Sequence, residues 1–391
     1  MKKYRKPLLF VVVVLFWFAQ YVYIPQQTPF LMATGVGAGM VGNIIGAYGI
    51  SQMLLRLPVG IMADRAGHHK LFICLGVLGA GLASTVRILW PGGPGFFIAN
   101  LFSGFASAMW ISFMVLYMDY GEEGEQQKST SQVIMANNLG ILLGFGASTL
   151  FYERMGMSAI CAMSVGAGVL GLLLALGIPA EKESAVMQSP AVKDLLAVCK
   201  SRKLWLFSGL AIVQQGIQMS TTMSFTAQIL KGLGANAALI GLSSIIYMVC
   251  AVCFAYLAGT RFCGKRGPGF WVPTVLGLVA VYCVAVSTLQ WIPAVMACQI
   301  LPGASTGILF TYLTSEAMDG VPREKKSTAM GFYQAVYALG MTILPMLSGY
   351  FAEHFSMRTA YFILAAVALA GCAFSVVYYQ KAVDSHKAHS V

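Results

Sequence analysis

Charge is what this chain has least of. Only 10% of its 391 residues are Asp, Glu, Lys or Arg, where soluble domains carry about 25%. With 58% hydrophobic residues, no water-soluble fold could cover its apolar surface, which excludes a soluble enzyme or binding module. Histidine is also scarce. Of the five, His68 and His69 share one turn, His386 and His389 lie near the C-terminus, and His354 stands alone. No clustered His, Asp, Glu or Cys marks a membrane enzyme or a metal centre. A Gly-x-x-x-x-Gly-Lys-Ser/Thr phosphate loop is missing, so the chain does not itself hydrolyse ATP. The nine cysteines lie mostly inside apolar runs and form no disulfide framework. Cys250-x-x-Cys253 is mid-run without a neighbouring His or carboxylate, and reads as small-residue packing. No catalytic residue, metal or cofactor is expected.

What the chain has instead is apolar runs long enough to cross a bilayer, which takes about 20 residues. Twelve spans are expected, roughly 8–31, 40–63, 71–90, 94–119, 130–152, 157–178, 204–229, 238–260, 270–290, 293–318, 329–352 and 357–380. The long break at 179–203, with Glu181, Lys182, Glu183, Ser184 and Ser189-Pro190, reads as a solvated linker. It predicts a bundle over 1–180, a cytoplasmic linker at 181–203, and a second bundle with a short cytoplasmic tail over 204–391. The net charge of +11 does not gather on one face, so no nucleic-acid partner is expected. The cations fall instead in the loops of one side: 20 of the 25 Lys and Arg there, Arg154, Lys231 and Arg358 on the other, and Arg56 and Arg87 within spans. Positive loops stay inside, which places both termini in the cytoplasm of a multi-pass protein of the inner or plasma membrane. The start, Lys2-Lys3-Tyr4-Arg5-Lys6 before Leu8–Ala19, lacks a small-residue cleavage site and reads as an uncleaved first span.

The halves repeat each other. Met118-Asp119 answers Met318-Asp319; Asn100 and Gly104 answer Gln299 and Gly303. Lys128-Ser129-Thr130 answers Lys326-Ser327-Thr328, and Glu153 and Met157 answer Glu353 and Met357, all at offsets of 198 to 200. Two pseudo-symmetric bundles around a midplane site is a common transporter plan.

The densest signal is the turn Gly60-Ile61-Met62-Ala63-Asp64-Arg65-Ala66-Gly67-His68-His69-Lys70. Its charges place it at a water interface, and its glycines are expected to let spans 2 and 3 approach and turn. Gly60, Asp64, Arg65, Gly67 and Lys70 resemble the Gly-x-x-x-Asp-Arg-x-Gly-basic signature of the major facilitator superfamily. A degenerate copy stands at Gly259-Thr260-Arg261-Phe262-Cys263-Gly264-Lys265-Arg266, where the Asp is lost.

That resemblance implies an all-α integral membrane fold of twelve helices in two six-helix bundles, and a secondary transporter working by alternating access. It implies that Asp64 faces the start of span 11 when the inner side is closed, and that a basic residue four past it pairs with Asp119 at the end of span 4. Here that residue is His68, with Arg65 or Lys70 the alternatives. It also implies that spans 1, 4, 7 and 10 line the path, flanked by 2, 5, 8 and 11.

Polar residues at helical spacing in those spans are the candidate cavity, because a polar side chain facing lipid is costly. Gln214, Gln218, Thr221 and Phe225 share one face of span 7. Gln20, Tyr23 and Gln27 lie on span 1; Asn100, Ser107 and Trp110 on span 4; Gln299 and Thr306 on span 10. Asn137 on span 5 and Gln334 and Tyr337 on span 11 join them, as do Tyr48, Gln52 and Arg56 on one face of span 2. Arg56 either meets an anionic group or Glu316, or snorkels to the headgroups; Arg87 is expected to be an interfacial anchor.

No carboxylate is expected near the midplane, so the cavity suits a small neutral or amphipathic organic molecule better than a metal ion or inorganic anion. Asn100 stands where proton antiporters of the family carry Arg, and Gly140-x-x-x-Gly144-Phe145-Gly146 lacks their Pro. Glu316 and His68 are the candidates for coupling to a proton or other ion. Export is the expected direction, with an importer, a facilitator or a lipid-type flippase as alternatives, and a non-transporting sensor or scaffold as the reading from another class. A monomer is expected.

Overall fold

The computed structural model describes residues 2–66, 69–120, 126–179, 197–322 and 326–388. Helices account for nearly all of them, and no strand occurs among the described residues. Ten helices are long and apolar enough to cross a membrane. One of these, 132–176, turns at Gly156, whose φ of +73° breaks the helix into two. The helices of 202–232 are a further candidate but carry more polar residues. The twelve expected spans are consistent with this. Helices Ala38–Ala66 and His69–Leu89 follow one another as the charged turn requires.

The four spans expected to line a path are the interrupted ones. Span 1 is Lys2–Tyr21 and Ile24–Ala33, parted before Pro25. Span 4 is Gly93–Ala108 and Trp110–Asp119. Span 7 carries a π-helical turn at Thr221–Phe225 and span 10 another at Ser305–Leu309. Such widened turns free backbone groups and shift the side-chain register, and they concentrate at functional places in helices. Spans 2 and 11, by contrast, run unbroken as Ala38–Ala66 and Lys326–His354.

Spans 2 and 11 join the halves by close backbone contact. A Cβ on Gly46 would fall 2.7 Å from the Thr342 carbonyl, one on Gly49 2.5 Å from its hydroxyl. Gly42 and Gly349 meet each other in the same way. Only glycine allows this approach. All of these contacts lie on the half of the molecule away from the termini, here called the distal side. There span 1 also meets the second half, through Thr28 Oγ1 and Ser224 Oγ of span 7 at 2.9 Å and through Gln26 Nε2 donating to the Ala237 carbonyl at the start of span 8 at 2.9 Å. Lys231 Nζ donates to the Pro29 carbonyl.

Two carboxylates complete the distal contact, one per repeat. Glu353, ending span 11, accepts from the Gly39 amide at the start of span 2. Glu153, ending span 5, accepts from the Ala238 amide at the start of span 8, at 3.4 Å. Each is a negative charge on the positive end of a helix from the opposite half.

Gly60 lies within helix Ala38–Ala66, and an added Cβ would make only ordinary contact with Ile111, at 3.7 Å. The expected close approach at this glycine is therefore corrected; the tight glycines of span 2 lie nearer its other end. Replacing Gly46 with Leu is expected to cost about 1–3 kcal/mol by overpacking. Thermal unfolding in detergent checks this, and a cysteine at Thr28 should become easier to alkylate from the distal side as spans 2 and 11 part.

Candidate functional site

Among the described residues, a cavity lies between the halves. Gln20, Tyr21, Tyr23, Ile24 and Gln27 of span 1, Ile45 and Tyr48 of span 2 and Asn100 of span 4 line one side; Met219 and Met223 of span 7 line the other. Of the sequence candidates, the structure thus brings Gln20, Tyr23, Gln27, Tyr48 and Asn100 together around it. The two methionines carried no polar signal, but they follow Gln214 and Gln218 on a helix whose register shifts at the π-turn.

Two matching hydrogen-bonded triads, the first partly in that wall, brace the site. In the first half Gln20 Nε2 donates to Ser107 Oγ at 3.0 Å, and Tyr48 Oη meets the same oxygen at 2.8 Å. In the second, Gln218 Nε2 donates to Tyr247 Oη at 2.6 Å, and Tyr247 Oη meets Thr306 Oγ1 at 2.9 Å. The members correspond at offsets of 198 and 199, joining spans 1, 2 and 4 in one half and 7, 8 and 10 in the other. Gln214 bonds Gln218 at 3.2 Å, and Thr221 turns its hydroxyl back to the Ile217 carbonyl. The polar stripe of span 7 is therefore tied towards span 8. Phe225 is fully buried within the π-turn.

The remaining candidates fall into three places. Trp110 packs against Trp17, ring centroids 5.2 Å apart, inside the first bundle. Asn137 is half-buried on span 5 and Gln299 buried on span 10. Gln52 is wholly buried beneath Tyr48. Arg56 crosses to span 11, donating from Nη1 to Gln334 Oε1 at 2.9 Å and Tyr337 Oη at 2.6 Å. It does not snorkel, being 5% exposed, and Glu316 is engaged elsewhere, 3.3 Å from Lys203 Nζ. Lys203 also pairs with Asp319 at 2.7 Å, and its ammonium holds that carboxyl below its usual range.

Arg87 corrects the sequence reading most sharply. It is no interfacial anchor: it is 2% exposed. Its Nη2 donates to Asn100 Oδ1 at 2.7 Å and Ser103 Oγ at 2.9 Å, and its Nη1 to Ser84 Oγ at 3.1 Å. The guanidinium lies 3.6 Å from the centroid of the Tyr23 ring, a cation–π contact. Asn100 passes the bond on, donating to the Ile44 carbonyl at 2.8 Å. Span 3 thus delivers a guanidinium to the very place where span 4 has Asn100 instead of Arg. Hydropathy alone hid this, because Arg87 lies near a span end where an anchor is the ordinary expectation.

Of the gate, Gly67 and His68 lie outside the described residues, and so do the side chains of Asp64, Arg65 and Asp119. Lys70 is described: its Nζ donates to the Leu176 carbonyl at 2.8 Å, at the end of span 6, a favourable place for a cation.

The triads make a quantitative expectation. Tyr247→Phe removes two hydrogen bonds and Tyr48→Phe one, at about 0.5–1.5 kcal/mol each. Tyr247→Phe should therefore lower the unfolding midpoint in detergent by about twice as much.

Comparison with known proteins places this geometry. The Major Facilitator Superfamily profile matches residues 9–298 and 216–390. The MFS-type transporter YhhS of Escherichia coli (strain K12) is 23% identical over 376 residues, 88% of this chain and 86% of that protein. The inner membrane transport protein YajR of the same strain is 23% identical over 171 residues, 43% of this chain and 37% of that protein. Among solved structures, the nucleoside transporter NupG superposes with a TM-score of 0.76 at 13% identity, covering 96% of this chain and 98% of that one. The human organic anion transporter MFSD10 (TETRAN) superposes with 0.68 at 14%, covering 96% and 99%. With its all-helical bundles and its profile match from end to end, the chain is a multi-pass membrane protein that belongs to the major facilitator superfamily of transporters.

Proposed function

We propose that this protein is a secondary transporter that moves a small amphipathic organic molecule across the inner membrane by alternating access. The observation that carries the reading is where the cavity lies: between two repeats, lined by both, under a distal side closed by contacts that cross from one half to the other. Rocking the halves would exchange those contacts for others on the terminal side, where Asp64, Asp119 and the start of span 11 would take over. In this reading the distal side faces outward, both termini are cytoplasmic, and one chain is sufficient. The cavity lining of amide, phenol and thioether groups favours a molecule with an apolar body and a few polar groups. Export is the proposed direction, with Glu316 and His68 as the groups through which a proton or other ion would couple.

A crosslink tests the central step. Cysteines at Thr28 and Ser224, in a background lacking the native nine, should form a disulfide across the distal contact, since the native hydroxyls are 2.9 Å apart. Oxidation is expected to abolish flux in proteoliposomes, and reduction to restore it. Undiminished flux in the fully crosslinked protein would remove alternating access.

A further inference from the structure

The geometry points to an organic anion as the cargo, with Arg87 as the specificity-determining counter-charge; this rests on the transporter reading above and narrows its substrate class. Arg87 stands one side chain from the cavity, against Tyr23 and Asn100, which both line it. All three of its hydrogen bonds go to neutral oxygens. No ion pair to Arg87 occurs among the described residues; the described pairs both belong to Lys203. A guanidinium has five N–H donors, so two are unspent, and the Nε is buried without a partner.

A buried cation with no counterion is costly, and such charges inside a membrane protein are kept for function. The fold itself does not demand this one. At an offset of 199 the second repeat places Val286, fully buried, where the first has Arg87. The polar triads are kept in both halves; the charge is kept in one. In surroundings where no described carboxylate offsets it, its field reaches the cavity with little screening. A negatively charged molecule entering there supplies the charge that the protein lacks. The rest of the lining describes the remainder of that molecule. Tyr21, Tyr48, Met219 and Met223 suit an aromatic or apolar body. The Gln27 Oε1 is buried without a partner, an acceptor open to a hydroxyl or amide donor.

Matched acid and amide pairs test this: 4-hydroxybenzoate with 4-hydroxybenzamide, and 6-hydroxy-2-naphthoate with its amide, bound to the purified full chain in detergent and moved in proteoliposomes. In the unmodified protein the acid should bind at least about tenfold more tightly than its amide, equivalent to about 1.4 kcal/mol. Arg87→Gln should bring the ratio close to one by weakening the acid alone, while Arg87→Lys, which keeps the charge, should retain a preference for the acid. Equal binding of acid and amide by the unmodified protein, preference for the amide, or binding of neither overturns the proposal, whether or not Arg87→Gln folds. So does a ratio unchanged in a folded Arg87→Gln protein. Flux of amides without acids would leave the transporter standing with a neutral cargo, whereas failure of the Thr28–Ser224 crosslink to stop flux would remove alternating access and leave the acid–amide ratio untouched.

Discussion

A polar side chain in hydrocarbon has only other helices to turn to, and this requirement shapes the molecule more than any single contact. Water is absent as a partner, so hydroxyls, amides and guanidinia converge on the bundle interiors. Ser84 donates to Ser164, and Ser164 to the Ala19 carbonyl, tying spans 3, 6 and 1. Thr226 meets both Tyr282 and Tyr361 at 2.8 Å, tying spans 7, 9 and 12. With the Tyr48 and Tyr247 triads, these networks make each half a body whose members share buried bonds. Lipid-facing positions are left to residues such as Leu78, Leu173, Val249 and Phe374, all exposed.

The repeat then separates what the fold needs from what the protein does with it. Gly104 fits against the Tyr48 carbonyl and Gly303 against Cys250, equivalent approaches of spans 4 to 2 and 10 to 8. Glu153 and Glu353 cap equivalent helices. Features held in both copies are architecture. Arg56 and Arg87 have apolar counterparts at the same offset, Ala255 and Val286, and so mark where the halves diverge in chemistry.

Much of this was legible in the sequence because it depends on period and composition. Hydropathy set the spans, loop cations set the sidedness expected of them, and the pairs Asn100/Gln299 and Glu153/Glu353 exposed the repeat. Gly42-x-x-x-Gly46 on span 2 is a small-residue motif of the kind that permits close helix packing, but the sequence does not say that span 11 is the helix it meets. Two things were not legible. A π-turn at Thr221–Phe225 leaves no mark in a stripe read at a constant 100° per residue, and Met219 and Met223, being apolar, do not stand out in a cavity read from polar side chains. Nor does spacing along one helix reveal a contact between two. Arg87 finds Asn100 thirteen residues on, across the turn from span 3 to span 4, with bonds to neutral partners. Ion pairs can be guessed from charge; a buried charge without one cannot.

The contacts between the halves differ in kind from those within them. Apart from the glycine packing of spans 2 and 11, they are single bonds: one hydroxyl pair, an amide and an ammonium each donating to a carbonyl, and two exposed carboxylates on helix ends, each of the last worth about 0.3–1 kcal/mol. Arg56 is the exception in being a buried charge that crosses, and its partners matter. Breaking a buried ion pair by withdrawing one member costs about 3–5 kcal/mol, because the other charge is stranded. Gln334 and Tyr337 are neutral, so neither is left as an uncompensated charge when Arg56 withdraws, and either can turn to another partner. A joint that must open and close many times is better served by a cation held by neutral groups than by one locked to an acid. The same reasoning explains why the one described ionic cluster, Lys203 with Glu316 and Asp319, lies wholly within the second half, where nothing has to part.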